Sequence, residues 1–317
     1  MDVLILGCSR IAQKRVIPAL ASLPEVGRIH FASRAPLDGS PVPAEKRGEV
    51  LTGYEAALAA LQPCLVYVSL PNSLHAEWVE KALQRGFHVV VDKPAVLSLQ
   101  NAEALAELAR RSRLCLAEAT VWSYHPQVEI AKRLFTDAGS APTRLAAVFS
   151  FPPLNPSDWR YRAALGGGSL FDQGPYAVSC GRVFFGVAPT EVVCRVHSRD
   201  EEVETSFSVL ATYPNGCAMT GHFGFNTEYR NSILLLGPGV AVELDRVFTM
   251  PPDLPTEVSV RQNNTNRVVS VPAADTFARF FAEVFRAIEA GDTAALTDAL
   301  LQDAACLHRL RQSAGVI

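Results

Sequence analysis

The 317-residue chain has few cysteines, and their spacing rules out the two things cysteines most often organise. Seven are present, an odd number, and none form a C-x-x-C pair; the closest two are Cys180 and Cys194. A disulfide framework and a zinc site are therefore not expected, and reduced thiols in a cytoplasmic protein are. Cys306 and His308 share a helical stretch but lack further ligands, so no metal is implied. No block of like charges occurs, and a net charge of −3 leaves no electrostatic footprint for nucleic acid. No apolar run reaches the length needed to span a bilayer. The chain enters a strand-like run at Val3 with no charged leader or cleavage site, so neither a membrane anchor nor export is expected. Internal repeats and low-complexity segments are absent.

What is present is globular. Hydrophobic residues make up 49% of the chain, and its length exceeds one ordinary core, which predicts two domains. Apolar strand candidates at 3–6, 28–33, 65–69, 88–91 and 114–117 alternate with helical patterns at 11–21, 54–61, 74–85 and 99–111. Continuous apolar strands separated by helices predict a doubly wound parallel sheet covered on both faces. Residues 35–50, with prolines and glycines among polar residues, read as a loop where a crossover helix would otherwise stand. A helix is predicted at 126–135. Beyond it the pattern changes to extended segments at 143–151, 191–199, 204–213, 217–223, 231–236, 240–244, 256–261 and 266–271, several strictly alternating. These predict a large, mostly antiparallel, open-faced sheet in an α+β domain. A helical region near 170–185 interrupts it, and helices at 276–289, after a cap at Asp275, and 294–314 end the chain. The predicted domains are 1–120 and 121–317.

Gly7-Cys8-Ser9-Arg10-Ile11-Ala12 follows the first strand and opens the first helix. It fits G-x-G-x-x-A with Ser at the second glycine, a turn that aims backbone N–H groups and a helix N-terminus at a pyrophosphate. The alternative is an ordinary strand–helix turn. The second strand ends in Ser33-Arg34, without the acid that would bond a ribose 2′-hydroxyl. Ser33 can donate to a 2′-phosphate and Arg34 can fork onto it, which predicts NADP over NAD; the bland alternative is a solvated arginine.

Two segments carry candidate chemistry. Asp92-Lys93-Pro94 leaves the carboxyl end of an apolar strand, where ligands bind in such sheets; otherwise Lys93 simply reaches water there. The second runs from Gly166-Gly167-Gly168 through Asp172 to Pro175 and Tyr176. Glycines permit close backbone approach, and on a helical path Asp172 and Tyr176 share a face. Taken alone, Tyr176 reads as a core tyrosine.

Together, 7–12, Ser33-Arg34, Leu70-Pro71-Asn72 with His75, Asp92-Lys93-Pro94, Trp159-Arg160, 166–176, Phe277, Ala287-Ile288, Gly291 and Ser313-Ala314 resemble the Gfo/Idh/MocA oxidoreductases over essentially the whole chain. Asp92 stands where the family usually has Glu, and Tyr176 where many members have His. The tyrosine resembles the glucose–fructose oxidoreductase and dihydrodiol dehydrogenase branch. Leu74-His75-Ala76-Glu77-Trp78, His125-Pro126-Gln127, Phe151-Pro152-Pro153 and Asp245-Arg246-Val247-Phe248-Thr249 are similar to NDP-hexose 3-ketoreductases of deoxysugar pathways.

The resemblance implies a Rossmann domain followed by a substrate and oligomerisation domain, and a homodimer or homotetramer formed through the second sheet. It implies catalytic Lys93 and Tyr176, with Asp172 orienting one of them. It also implies cofactor contacts from Gly7, Cys8, Ser9, Arg10, Ile11, Ser33, Arg34, Leu70, Asn72, His75, Asp92, Lys93, Trp159 and Arg160, with Arg160 also placed to meet a nucleotide diphosphate. For His75 a structural bond at the helix start is the alternative. The implied activity is hydride transfer between NADP(H) and a nucleotide sugar. The rivals are an aldose or dihydrodiol dehydrogenase and a non-catalytic NADP-binding sensor or scaffold.

Overall fold

The computed structural model describes residues 1–35, 40–62 and 64–317. Six strands form the first sheet: β1 (Val3–Leu6), β2 (Ile29–Ser33), β3 (Arg47–Thr52), β4 (Leu65–Val68), β5 (His88–Val91) and β6 (Leu116–Glu118). All pair in parallel, in the order β3-β2-β1-β4-β5-β6. The apolar runs become the central strands because both faces are covered: every residue of β1 and β4 is buried. The covering helices include α1 (Ile17–Ser22, which continues a π-helical turn at Ala12–Val16), α2 (Tyr54–Ala60), α3 (His75–Gln84) and α4 (Leu99–Ser112).

β3 corrects the loop expected at 35–50. Residues 36–39 lie outside the described residues, but 47–52 form a strand at the sheet edge with no buried residue. Arg47, Gly48 and Glu49 hide it from a search for apolar runs, since an edge strand needs no apolar face. It is held by backbone pairing to β2 and by the bond from Glu49 N–H to His30 Nδ1 at 3.1 Å.

The second sheet follows α5 (Pro126–Asp137). Its strands are β7 (Arg144–Ser150), then, after α6 (Ser169–Asp172) and α7 (Gly174–Phe185), β8 (Glu191–Arg199), β9 (Glu204–Thr212), β10 (Ala218–Gly224), β11 (Arg230–Gly237), β12 (Val240–Asp245), β13 (Thr256–Gln262) and β14 (Thr265–Val271). All eight expected segments are strands. Their order is β14-β13-β12-β11-β7-β10-β9-β8, antiparallel except where β10 runs parallel to β7. One face carries Leu145, Ala147, Phe149, Phe207, Phe223, Ile233, Val242 and Val258 into a core shared with Val128, Phe135, Ala177 and Phe184 of α5 and α7. The other face has no helix in the described core; Leu210, Leu236 and Val268 are 44%, 40% and 56% exposed.

Two helices close the chain, α8 (Thr276–Ala290) and α9 (Ala294–Ser313). The chain divides into two compact units, Met1–Ala119 with Phe277–Ala304, and Thr120–Thr276 with Ala305–Ile317. The expected division at 120/121 places 277–304 in the second domain; the structure packs them in the first. Phe281 meets the Tyr67 ring at 5.7 Å, and the Thr297 hydroxyl donates to the Leu116 carbonyl at 3.0 Å.

Candidate active site

In the first unit the carboxyl ends of β2, β1, β4 and β5 are consecutive in the sheet, so the loops that follow them are neighbours. Gly7 follows β1 with φ +101°, and a Cβ there would lie 2.3 Å from the Ser69 carbonyl oxygen. Only glycine lets this turn rest on the loop after β4. The turn continues into a helical segment in which the Ser9 hydroxyl accepts from Ala12 N–H at 3.0 Å. The N–H groups of Cys8, Ser9, Arg10 and Ile11 have no acceptor among the described residues. These donors, at a helix start and beside a turn that admits no side chain, fit a dinucleotide pyrophosphate.

At the end of β2, Arg34 is exposed, with its guanidinium near Tyr54. Burial raises the Tyr54 pKa, and the Arg34 guanidinium opposes that rise. Ser33 is buried, and its hydroxyl donates to the Ala35 carbonyl. In this geometry Arg34 presents the free charge, while Ser33 shapes the turn that presents it.

Between β1, β4 and β5 runs a hydroxyl–carboxylate network. Ser9 Oγ lies 2.6 Å from Ser69 Oγ, Ser69 donates to Asp92 Oδ2 at 2.8 Å, and Tyr67 donates to Asp92 Oδ1. Burial pushes the Asp92 pKa up, while the two hydroxyls, His75 and the Lys93 ammonium hold it down. Burial, then the neighbouring Asp92, pushes Tyr67 well above its ordinary range. Asp92 therefore ties the ends of β4 and β5 together, with the turn after β1 joined through Ser69, next in sequence to Lys93. Asn72 is buried in the turn after β4, and Leu70 packs against the core.

His75 is fully buried, with Nδ1 2.9 Å from the Pro94 carbonyl and Nε2 2.9 Å from the Leu70 carbonyl. Only an imidazolium could donate to both, yet burial lowers its pKa. His75 thus joins the loop after β4 to the loop holding Lys93, and its ring nitrogens both face backbone.

In the second unit, the glycine run brings two loops into contact. Gly168 has φ +100°, and its N–H donates to the Arg160 carbonyl at 2.8 Å. Arg160 thereby reaches Asp172: its Nε lies 3.0 Å from Asp172 Oδ1, its Nη1 3.3 Å from Asp158 Oδ1, and its guanidinium 4.9 Å from the centre of the Trp159 ring. Asp172, then Asp158, raises the Arg160 pKa. Asp172 sits at the end of α6 and Tyr176 in the first turn of α7, so the single helical face expected for them is broken at Gln173. Gln173 is fully buried and donates to the Phe149 and Gly224 carbonyls at 3.0 and 3.1 Å, pinning the start of α7 to β7 and β10. The Tyr176 ring packs at 5.1 Å on Phe149 and 5.2 Å on Phe248.

Several participants escape the sequence reading. Tyr67 and Ser69 lie in an apolar strand run, Tyr54 reads as helix, and Gln173 is one polar residue among several. The one available signal was Ser69, a hydroxyl at the end of a strand next to the glycine turn.

Comparison with known proteins places both halves. Residues 1–120 match an oxidoreductase family with an NAD-binding Rossmann fold, and residues 140–243 match the GFO/IDH/MocA C-terminal domain. The chain is 31% identical, over 98% of its length and 96% of the relative's, to a dTDP-3,4-didehydro-2,6-dideoxy-alpha-D-glucose 3-reductase from Saccharopolyspora spinosa. It is 32% identical, over 91% of its length and 89% of the relative's, to a D-xylose 1-dehydrogenase (NADP(+)) from Haloferax volcanii. The solved structure of a 3-ketoreductase from Actinomadura kijaniata in complex with NADP and TDP-benzene superposes with a TM-score of 0.90, at 31% identity, covering 99% of this chain and 98% of that one.

Proposed function

The chain belongs to the Gfo/Idh/MocA family of oxidoreductases, and from that premise we propose that it reduces a keto group on a dTDP-linked hexose with NADPH. The observation that carries this reading is the exposed Arg34 at the end of β2, where no acid stands, above a turn at Gly7 that admits only backbone. The structural relatives solved with NADP support the same cofactor.

NADPH, when bound, supplies the hydride. As the carbonyl carbon accepts it, negative charge develops on the oxygen, which the Lys93 ammonium stabilises and the Tyr176 phenol protonates. The resulting phenolate regains its proton from solvent. Asp92 positions Lys93 through the Ser69 and Tyr67 bonds. Asp172 positions Arg160, with Trp159 beside it. Because Arg160 already faces two carboxylates, we read it as a positioning residue and not as the partner of a diphosphate.

Two broader features belong to the same reading. No disulfide joins the cysteines among the described residues, which fits a reducing cytoplasm, and among the described residues no helix is long and apolar enough to cross a membrane. The uncovered face of the second sheet fits self-association into a dimer or tetramer. The reading is tested by following NADPH oxidation with a dTDP-linked 3-ketohexose, and NADP+ reduction with free aldoses. Turnover of the nucleotide sugar alone supports it. Efficient turnover of free aldoses alone would assign the chain to the aldose dehydrogenases, and turnover of neither would favour a sensor.

A further inference from the structure

A nucleotide sugar brings a base and a diphosphate, and the residues described so far engage neither. The end of the second sheet that carries Tyr176 has a surface suited to both. β12 ends there and β11 begins there, and the turn after β12 is bent by Arg246 at φ +50°. That conformation is uncommon for a residue with a side chain and is held here by its neighbours. Arg246 N–H donates to the Asn231 carbonyl at 2.7 Å. Asn231, 1% exposed, donates to Tyr229 Oη at 3.3 Å and Thr249 Oγ1 at 2.9 Å and accepts from Phe248 N–H at 3.0 Å. One buried amide thus fixes both sides of the turn. The result is a guanidinium 5.5 Å above the ring of Tyr229, an aromatic residue left 44% exposed.

The charges at this end single out Arg246. Arg160 faces Asp158 and Asp172, Arg162 is paired with Glu202, and Arg230 with Glu243 and Asp245. Arg246 has no carboxylate within ion-pair distance among the described residues, Glu228 and the adjacent Asp245 included. Arg199, on edge strand β8, is separated from β7 by β9 and β10. The surface is also placed at the right remove from the chemistry. Phe248, two residues beyond Arg246, packs at 5.2 Å on Tyr176, and two residues of chain span at most about 7 Å.

We propose that Arg246 and Tyr229 form the subsite for the nucleoside diphosphate of the substrate, with the guanidinium on the diphosphate and the exposed phenol ring against the nucleoside. The inference rests on the nucleotide-sugar reading above. An unpaired, pre-stacked guanidinium is suited to bidentate phosphate recognition, and its fixed turn limits the ordering cost of binding.

The test is calorimetric titration of dTDP and of thymidine into the full chain saturated with NADP+, for the wild type, Arg246→Asn, Arg246→Lys and Tyr229→Leu. Asn tolerates the left-handed backbone, so the charge is removed without added strain. Arg246→Asn should weaken dTDP binding about tenfold or more, the scale of a lost charge-assisted hydrogen bond, and leave thymidine binding unchanged. Arg246→Lys should recover part of the loss, and Tyr229→Leu should weaken both ligands. NADPH affinity unchanged in all variants, and a thermal midpoint unchanged in the two Arg246 variants, confirm the fold. If the wild type binds dTDP and Arg246→Asn binds it equally well, the subsite is overturned and the nucleotide-sugar reading stands. If the wild type binds no dTDP while turning over free sugars, both fall.

Discussion

Arg34 and Tyr176 carry separable claims. Arg34 is exposed beside Tyr54 and has no ion-pair partner among the described residues, so its charge is offered to a 2′-phosphate. Arg34→Ala should raise the Michaelis constant for NADPH about tenfold or more, as expected for a lost charge-assisted contact, and leave that for NADH nearly unchanged. Equal losses with both cofactors would show that Arg34 does not read the phosphate. Tyr176→Phe removes one hydroxyl from a ring held by Phe149 and Phe248, so fold and NADPH affinity should survive. Turnover should fall about a hundredfold or more, the scale of a lost general acid. Lys93→Met should cost at least as much, and the double variant little more than the worse single one, because the two act as a unit. Near-normal single-turnover hydride transfer in Tyr176→Phe would remove the tyrosine from the mechanism. Most of these residues were legible because motif spacing exposes them. Ser69 and Tyr67 were not: a hydroxyl in an apolar strand acquires meaning only when sheet order sets it beside Asp92.

The turn between β1 and the first helix is where an element most directly serves the cofactor. Gly7→Ala would force a Cβ to within 2.3 Å of the Ser69 carbonyl in a backbone conformation that alanine avoids. The variant should lose at least about 2 kcal/mol of stability and most of its NADPH affinity, measured by denaturant unfolding and by fluorescence titration. An unchanged unfolding midpoint would show that the turn can yield. The alternating and apolar strands were readable because burial on one or both faces writes itself into the sequence. β3 was not, since an edge strand bonded through its backbone leaves no apolar period. Nor was the placement of 277–304, because an amphipathic helix shows that one face is buried but not against what.

At the scale of the whole molecule, the open face of the second sheet predicts association. Sedimentation at micromolar concentration should show a dimer or tetramer, and Leu210→Glu, on that face, should shift it towards monomer; a monomeric wild type would end the idea. Stability should also depend on pH. Burial lowers the pKa of His75, His88 and His222, so below their ordinary value of about 6.5 the unfolded chain binds protons that the folded one resists. Acid therefore destabilises the fold through these rings, and Asp92, whose raised pKa acts the other way, opposes it. The thermal midpoint should fall between about pH 7 and about pH 5, less steeply in His75→Gln; a flat profile would contradict the assignment of buried neutral rings. The central proposed step is hydride delivery to a sugar carbonyl. With NADPH deuterated at the transferring position and a dTDP-linked 3-ketohexose, mass spectrometry should find one deuterium on the sugar carbon that was the carbonyl, appearing about a hundredfold or more slowly when Lys93 and Tyr176 are both replaced. A product without deuterium on the sugar, or consumption of the cofactor with no change in the sugar, would contradict it.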